Sequence, residues 1–297
     1  MERLTVRDRL WVWGHEEGSH NETYGIQGMS RMTPAESAYY LGIRNALFVR
    51  FSDLPKPPFD QHALALRSLD RVTWSIVGAG GRTDAGELDT VLALSERFPN
   101  IKSVIMDDFF RKTDDGGWQG VHSIAELQAI RTRLTTASSS LDNLPLWVVL
   151  YAHQLLPESA RETIRAHLAL TDVVTFWTWQ SDELVHLERD FTIAEELAVG
   201  KRMMLGCYLY DYGNRTEMPV ARLQRQCEIG LEWLHAGRID GIILLGNCVC
   251  DLDLPAVAWA QEWICRVSDQ SVIGRNSVEV AAPVSVIENP RENPSNF

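Results

Sequence analysis

The stretch Ile101-Lys-Ser-Val-Ile-Met-Asp-Asp-Phe-Phe110 is a short apolar run that stops at two adjacent carboxylates. Stability alone does not explain such an ending, because a desolvated carboxylate is costly unless it is paired. The C-terminal end of a parallel strand, by contrast, is where α/β proteins build their sites. The pair Asp107-Asp108 therefore calls for a parallel sheet around it, and the flanking sequence supplies one.

Seven further apolar, β-branched or aromatic runs recur along the chain, at residues 10–13, 46–51, 72–77, 146–151, 173–177, 203–209 and 241–245. Helical signals fill the gaps. Thr33-Pro-Ala-Glu36 is a capping box with proline at the first helical position, and Ser123-Ile-Ala-Glu126 is a second box. Pro157 and Pro219 mark two more helix starts. Residues 84–97, 181–197 and 254–266 carry apolar side chains at i, i+3, i+4 spacing. Strands that alternate with helices imply βαβ units and a parallel sheet. Eight such units in one domain predict an α/β fold, a single closed (β/α)8 (TIM) barrel over residues 1–277. A doubly wound open sheet fits less well, because no Gly-rich dinucleotide fingerprint follows the first strand. Gly78-Ala-Gly80-Gly81 lacks that spacing and reads as a turn. The tail, 278–297, holds Asn289-Pro and Asn293-Pro and is expected to lie over the barrel or to be disordered.

Composition narrows the function. The 297 residues are 45% hydrophobic, enough for a large core, and the net charge of −12 argues against a nucleic-acid surface. No apolar run reaches the roughly 18 residues needed to span a membrane. The N-terminus has no apolar signal core, so the expected location is cytoplasmic, or secreted or periplasmic if a leader has been removed. Five cysteines, at 207, 227, 248, 250 and 265, sit in apolar segments and read as reduced, buried thiols. No cofactor is implied, and the oligomeric state is unreadable.

In a barrel all eight strand ends meet at one face. The ends supply Trp13-Gly-His15-Glu16, Arg50, Ser75, Asp107-Asp108, Tyr151-Ala-His153-Gln154, Trp177-Thr-Trp179-Gln180, Tyr208-Leu-Tyr210-Asp211-Tyr212 and Asn247. Side-chain alternation puts Trp147, Val149, Tyr151 and His153 on the inner face of the fifth strand, and Thr175, Trp177 and Trp179 on that of the sixth. The same parity turns Asp107, with Ser103 and Ile105, into the barrel mouth. The run Asp182, Glu183 and Glu188 reads as a solvated helix face.

Carboxylates in a mouth rich in Trp and Tyr suggest a small saccharide or glycan ligand, with rings stacking on sugar faces and polar groups forking to hydroxyls. Glycoside hydrolysis needs two carboxyl groups flanking the scissile bond. The chain resembles the (β/α)8 glycoside hydrolases through Val104-Ile-Met-Asp-Asp-Phe109, Trp177-Thr-Trp179 and Tyr208-Leu-Tyr-Asp-Tyr212. That resemblance implies an acid at the end of the fourth strand and a second carboxylate at the seventh. It departs from the commonest pattern, with no Asn-Glu at the fourth strand, no Glu at the seventh and no DxxDxDxE signature.

The resulting expectation makes Asp108 the general acid, its pKa raised by Asp107, and Asp211 the base or nucleophile. Asp107 holds the second charge. Trp177 and Trp179 wall a subsite, while His15, Glu16, Arg50, Tyr151, His153, Tyr210 and Asn247 fix hydroxyls. Two alternatives use the same residues. One is a metal-dependent sugar isomerase or epimerase with His15, Glu16, Asp107, Asp108, His153 and Asp211 as ligands. The other is a barrel that binds carbohydrate without turning it over.

Overall fold

A computed structural model describes residues 4–77, 86–136 and 143–272. The Gly78–81 turn and the 278–297 tail of the sequence reading lie outside these residues. Eight parallel strands close into a barrel in chain order: β1 (Leu10–Gly14), β2 (Asn45–Phe48), β3 (Arg71–Ser75), β4 (Ile101–Met106), β5 (Leu146–Tyr151), β6 (Val173–Trp177), β7 (Arg202–Tyr208) and β8 (Gly241–Leu245). The last strand pairs with the first in register, Trp11 opposite Ile243 and Trp13 opposite Leu245. All eight predicted strands are present.

The helices are α1 (Pro34–Leu41), α2 (Asp60–Ala65), α3 (Glu87–Arg97), α4 (Ile124–Thr136), α5 (Arg161–Leu168), α6 (Leu187–Leu197), α7 (Val220–His235) and α8 (Pro255–Val267). Both capping boxes form. Glu36 Oε2 accepts from the Thr33 amide at 2.8 Å, and the Thr33 hydroxyl accepts from the Glu36 amide at 3.2 Å. Ser123 and Glu126 repeat the exchange. The expected helix over 181–197 divides into a 3-10 turn, Ser181–His186, followed by α6. Two small antiparallel ribbons had no sequence signal strong enough to find them. One joins Phe110–Lys112 to Trp118–Gly120, and the other joins Tyr210–Asp211 to Thr216–Glu217. Of the cysteines, Cys265 is exposed on α8 and the other four are buried.

Inward residues stack in layers, as a closed eight-stranded barrel requires. Near the base Trp11 and Trp147 meet edge to face at 5.0 Å, with the Arg71 guanidinium 4.8 Å from the Trp11 ring. Above them Thr73 and Ser103 share a 2.6 Å hydroxyl bond, and the Trp177 indole N–H donates to the Thr175 hydroxyl at 2.9 Å. The next layer brings Trp13 against Trp177 at 5.2 Å. Trp177 fits because β7 offers Gly206 beside it. A Cβ at that position would overlap the indole ring. Phe176, of opposite parity, packs outward on Phe191 of α6.

Candidate active site

The inward residues at the tops of five strands, Trp13, Tyr151, Trp177, Tyr208 and Leu245, floor a recess at the C-terminal mouth. The β1–α1 loop brings His20 and Tyr24 over it, and Phe51, Trp179 and Tyr212 complete the wall. The space measures about 600 Å³ with its open mouth included. Asp107 and Asp108 are its only carboxylates among the described residues.

Successive side chains of a strand point to opposite faces, yet both aspartates line this one recess. The backbone explains it. After Met106 the chain leaves the strand, and Asp108 takes a left-handed φ of 45°. Tyr24, on the facing loop, is also left-handed, at φ 52°. Conformations of this kind are disfavoured for non-glycine residues and cluster at functional sites.

Asp107 is only 8% exposed, and its Oδ1 accepts from the Asp108 amide at 2.9 Å. Burial, and then the neighbouring Asp108 charge, raise its pKa well above the ordinary carboxyl value against the pull of that hydrogen bond. The raised acid foreseen at Asp108 is thus found at Asp107, because Asp107 is the one the barrel wall desolvates. The Tyr151 hydroxyl donates to Asp108 Oδ1 at 3.2 Å. Burial pushes the Tyr151 and Tyr208 phenols well up, so both remain neutral donors beside the pair.

His15 and His20 are held neutral. His15 Nδ1 meets the Val49 carbonyl at 2.9 Å, and its Nε2 accepts from the Trp13 indole at 3.0 Å. Those two bonds assign the Nδ1–H tautomer and occupy both nitrogens. His15 lines the recess as a ring rather than as the hydroxyl ligand expected from sequence. Burial lowers its pKa to about 4, despite the Val49 carbonyl. His20, 4.8 Å from it ring to ring, is lowered to about 2 by burial and by His15.

The other predicted site residues have different employment. Asp211 is 1% exposed and does not line the recess. Its carboxylate accepts from the Ser181 amide (3.2 Å), the Asn214 amide (3.1 Å) and the Asn214 side chain (2.9 Å), so it ties the seventh strand end to the sixth. Arg50 turns away into a buried 2.6 Å ion pair with Glu87. Asn247 is consumed by backbone: its Oδ1 accepts from the His15 amide, and its Nδ2 donates to the His15 and Met32 carbonyls. The Tyr210 hydroxyl donates to the Tyr24 carbonyl at 3.2 Å, supporting the loop from behind. Glu16 faces His62 at 3.7 Å outside the recess. His153 stacks on Tyr151 at 5.3 Å and 17°, lining an outer chamber. No group of three or more His, Cys, Asp or Glu among the described residues is gathered to hold a metal ion.

Trp13, Tyr208 and Tyr212, which the strand ends supplied, also line the recess. Other recess residues escaped sequence reading. His20, Tyr24 and Phe51 belong to loops, where no periodicity speaks.

No family model matches the chain, and no curated protein does. Solved structures do. A protein described as a candidate alpha-L-fucosidase from Bacteroides thetaiotaomicron VPI-5482 superposes with a TM-score of 0.55 at 13% identity, over 90% of this chain and 98% of that one. A family 18 chitinase from Crocus vernus gives 0.51 at 11%, over 86% and 99%. The xylanase and alpha-amylase inhibitor protein XAIP-II from Scadoxus multiflorus gives 0.51 at 11%, over 86% and 97%. At such identities the likeness carries the fold alone: this chain shares the (β/α)8 barrel of these proteins.

Proposed function

We propose that the chain hydrolyses a glycosidic bond of a saccharide whose ring sits in the aromatic recess. One observation carries this reading: a buried carboxyl of raised pKa, Asp107, stands beside a second carboxyl, Asp108, in a chamber walled by Trp and Tyr. A carboxyl whose pKa is raised above the ordinary carboxylate range is what protonation of a leaving oxygen needs. Asp107 is accordingly the general acid. Asp108, oriented by the Tyr151 hydroxyl, faces the positive charge that develops at the anomeric carbon. The raised acid and the inward parity then fall on the same residue. Asp211 has no part in the chemistry.

Release of 4-methylumbelliferone from a panel of glycosides, with reducing-sugar assays on oligosaccharides, tests the proposal. Asp107→Asn and Asp108→Asn should each lower kcat by roughly 10²- to 10⁴-fold, and Asp211→Asn should act through stability alone. Hydrolysis that survives both of the first two substitutions at the wild-type rate would remove the pair from the mechanism. Saccharide binding with no turnover of any glycoside would make the chain a carbohydrate-binding barrel instead.

A further inference from the structure

Beyond the recess lies a second chamber, about 960 Å³ with its open side included. It shares Tyr24, Asp108, Tyr151 and Trp179 with the first, so these four residues form a neck between two connected spaces. Asp108 stands at the neck and Asp107 lies on the inner side only. The outer chamber is not a random cleft. The ribbon that follows the aspartate pair, Phe110–Lys112 with Trp118–Gly120, brings Trp118 to its wall, 5.3 Å from the His153 ring. From the opposite side the 3-10 turn Ser181–His186 contributes Glu183. Among the described residues the His153 ring nitrogens have no hydrogen-bond or ion-pair partner, and the Glu183 carboxylate is held only by the Gln180 backbone amide. Gln154, in contrast, is engaged by the Tyr151 amide and the Phe110 carbonyl.

We infer that the outer chamber is a binding site for a second sugar unit, the one that leaves, with Trp118 as its stacking platform and His153 and Glu183 as its hydroxyl ligands. The inference rests on the hydrolase reading and extends it to the substrate: an uncharged disaccharide or longer glycan, whose terminal residue enters the recess and whose next residue stays outside. The bond between the two units then crosses the neck, beside Asp108. A flat indole face flanked by an imidazole and a carboxylate suits a pyranose, which offers an apolar ring face and a rim of hydroxyls. The ribbon after β4 is thereby a specificity element, and Glu183 belongs to the site rather than to a solvated helix face.

Calorimetric titration of the Asp108→Asn protein, whose turnover is slowed, separates the two spaces. Matched pairs serve as probes: glucose with cellobiose, xylose with xylobiose, and N-acetylglucosamine with N,N′-diacetylchitobiose. For the pair that binds, the disaccharide should bind about tenfold or more tightly than the monosaccharide, the scale of one good stacking contact. Adding Trp118→Ala or Glu183→Gln should erase that advantage and leave monosaccharide affinity unchanged, which also shows that the variants are folded. Equal affinity for both members of a pair, or equal losses for both in the variants, overturns the second-unit site while leaving the hydrolase reading intact. Binding of no saccharide at all overturns both.

Discussion

Asp107 holds a raised pKa because the barrel wall removes water from it and Asp108 repels its ionised form. The consequence for stability has a definite sign. Between the unfolded carboxyl pKa of about 3.9 and the higher folded value, the fold retains a proton that the unfolded chain has lost. Stability therefore declines as pH rises through that window and is recovered below it. Asp107→Asn, which cannot ionise and can still accept from the Asp108 amide, should unfold at a Tm several degrees above wild type at neutral pH. The gap should close as pH approaches about 4. Thermal scans of both proteins across this range check it, and a Tm gap independent of pH would mean that Asp107 is not the strained group. Parity had pointed Asp107 inward from sequence. What the sequence hid was the left-handed turn at Asp108 that adds its neighbour to the same recess. The misreading of Asp211 has a similar origin. Its carboxylate is engaged in part by the Ser181 amide, thirty positions earlier in the chain, and a contact of that range leaves no local trace.

Among the elements, β6 and β7 set the recess floor through a size match, Trp177 on one and Gly206 on the other. Gly206→Ala pushes a methyl group into a ring that is already held by Thr175 and packed on Trp13. Overpacking of this kind costs about 1–3 kcal/mol, and it should lower Tm and blue- or red-shift tryptophan emission together. Unchanged emission with a lowered Tm would place the strain elsewhere. The regular elements were legible because their signals are local: period-2 alternation in β5 and β6, and proline or capping boxes at α1, α4 and α7. The two ribbons were not. Each is only two or three residues per strand, too short for any period to register, and the ribbon after β4 carries Trp118 into the outer chamber.

For the whole molecule, the barrel followed from the count and spacing of βα units, while the site did not follow from strand ends alone. Sequence order lets every strand end face one mouth. Which side chains stay there depends on whether a closer backbone partner claims them, as happened to Arg50 and Asn247. Asn247 has the widest reach. From the end of β8 its amide grips the loop between β1 and α1 at both ends, His15 and Met32, and the Ser30 hydroxyl adds a bond to its carbonyl at 3.2 Å. Asn247→Ala leaves buried backbone groups unpaired, at about 1–3 kcal/mol for each. It should expose the 16–32 loop to limited proteolysis at temperatures where wild type resists. A protection pattern identical to wild type would show that the loop holds itself.

That same clamp ties the recess to the closure of the barrel. The loop carrying His20 and Tyr24 is anchored by a residue 215 to 232 positions further along the chain than its two ends. Until β8 docks against β1 the recess has a floor in parts and no roof. A chain cut before residue 241 lacks both Leu245 of the recess floor and the Asn247 anchor of the loop above it. The roof of the recess is thus built across the seam that closes the ring, so the pairing of β1 with β8 belongs to the site as much as to the fold.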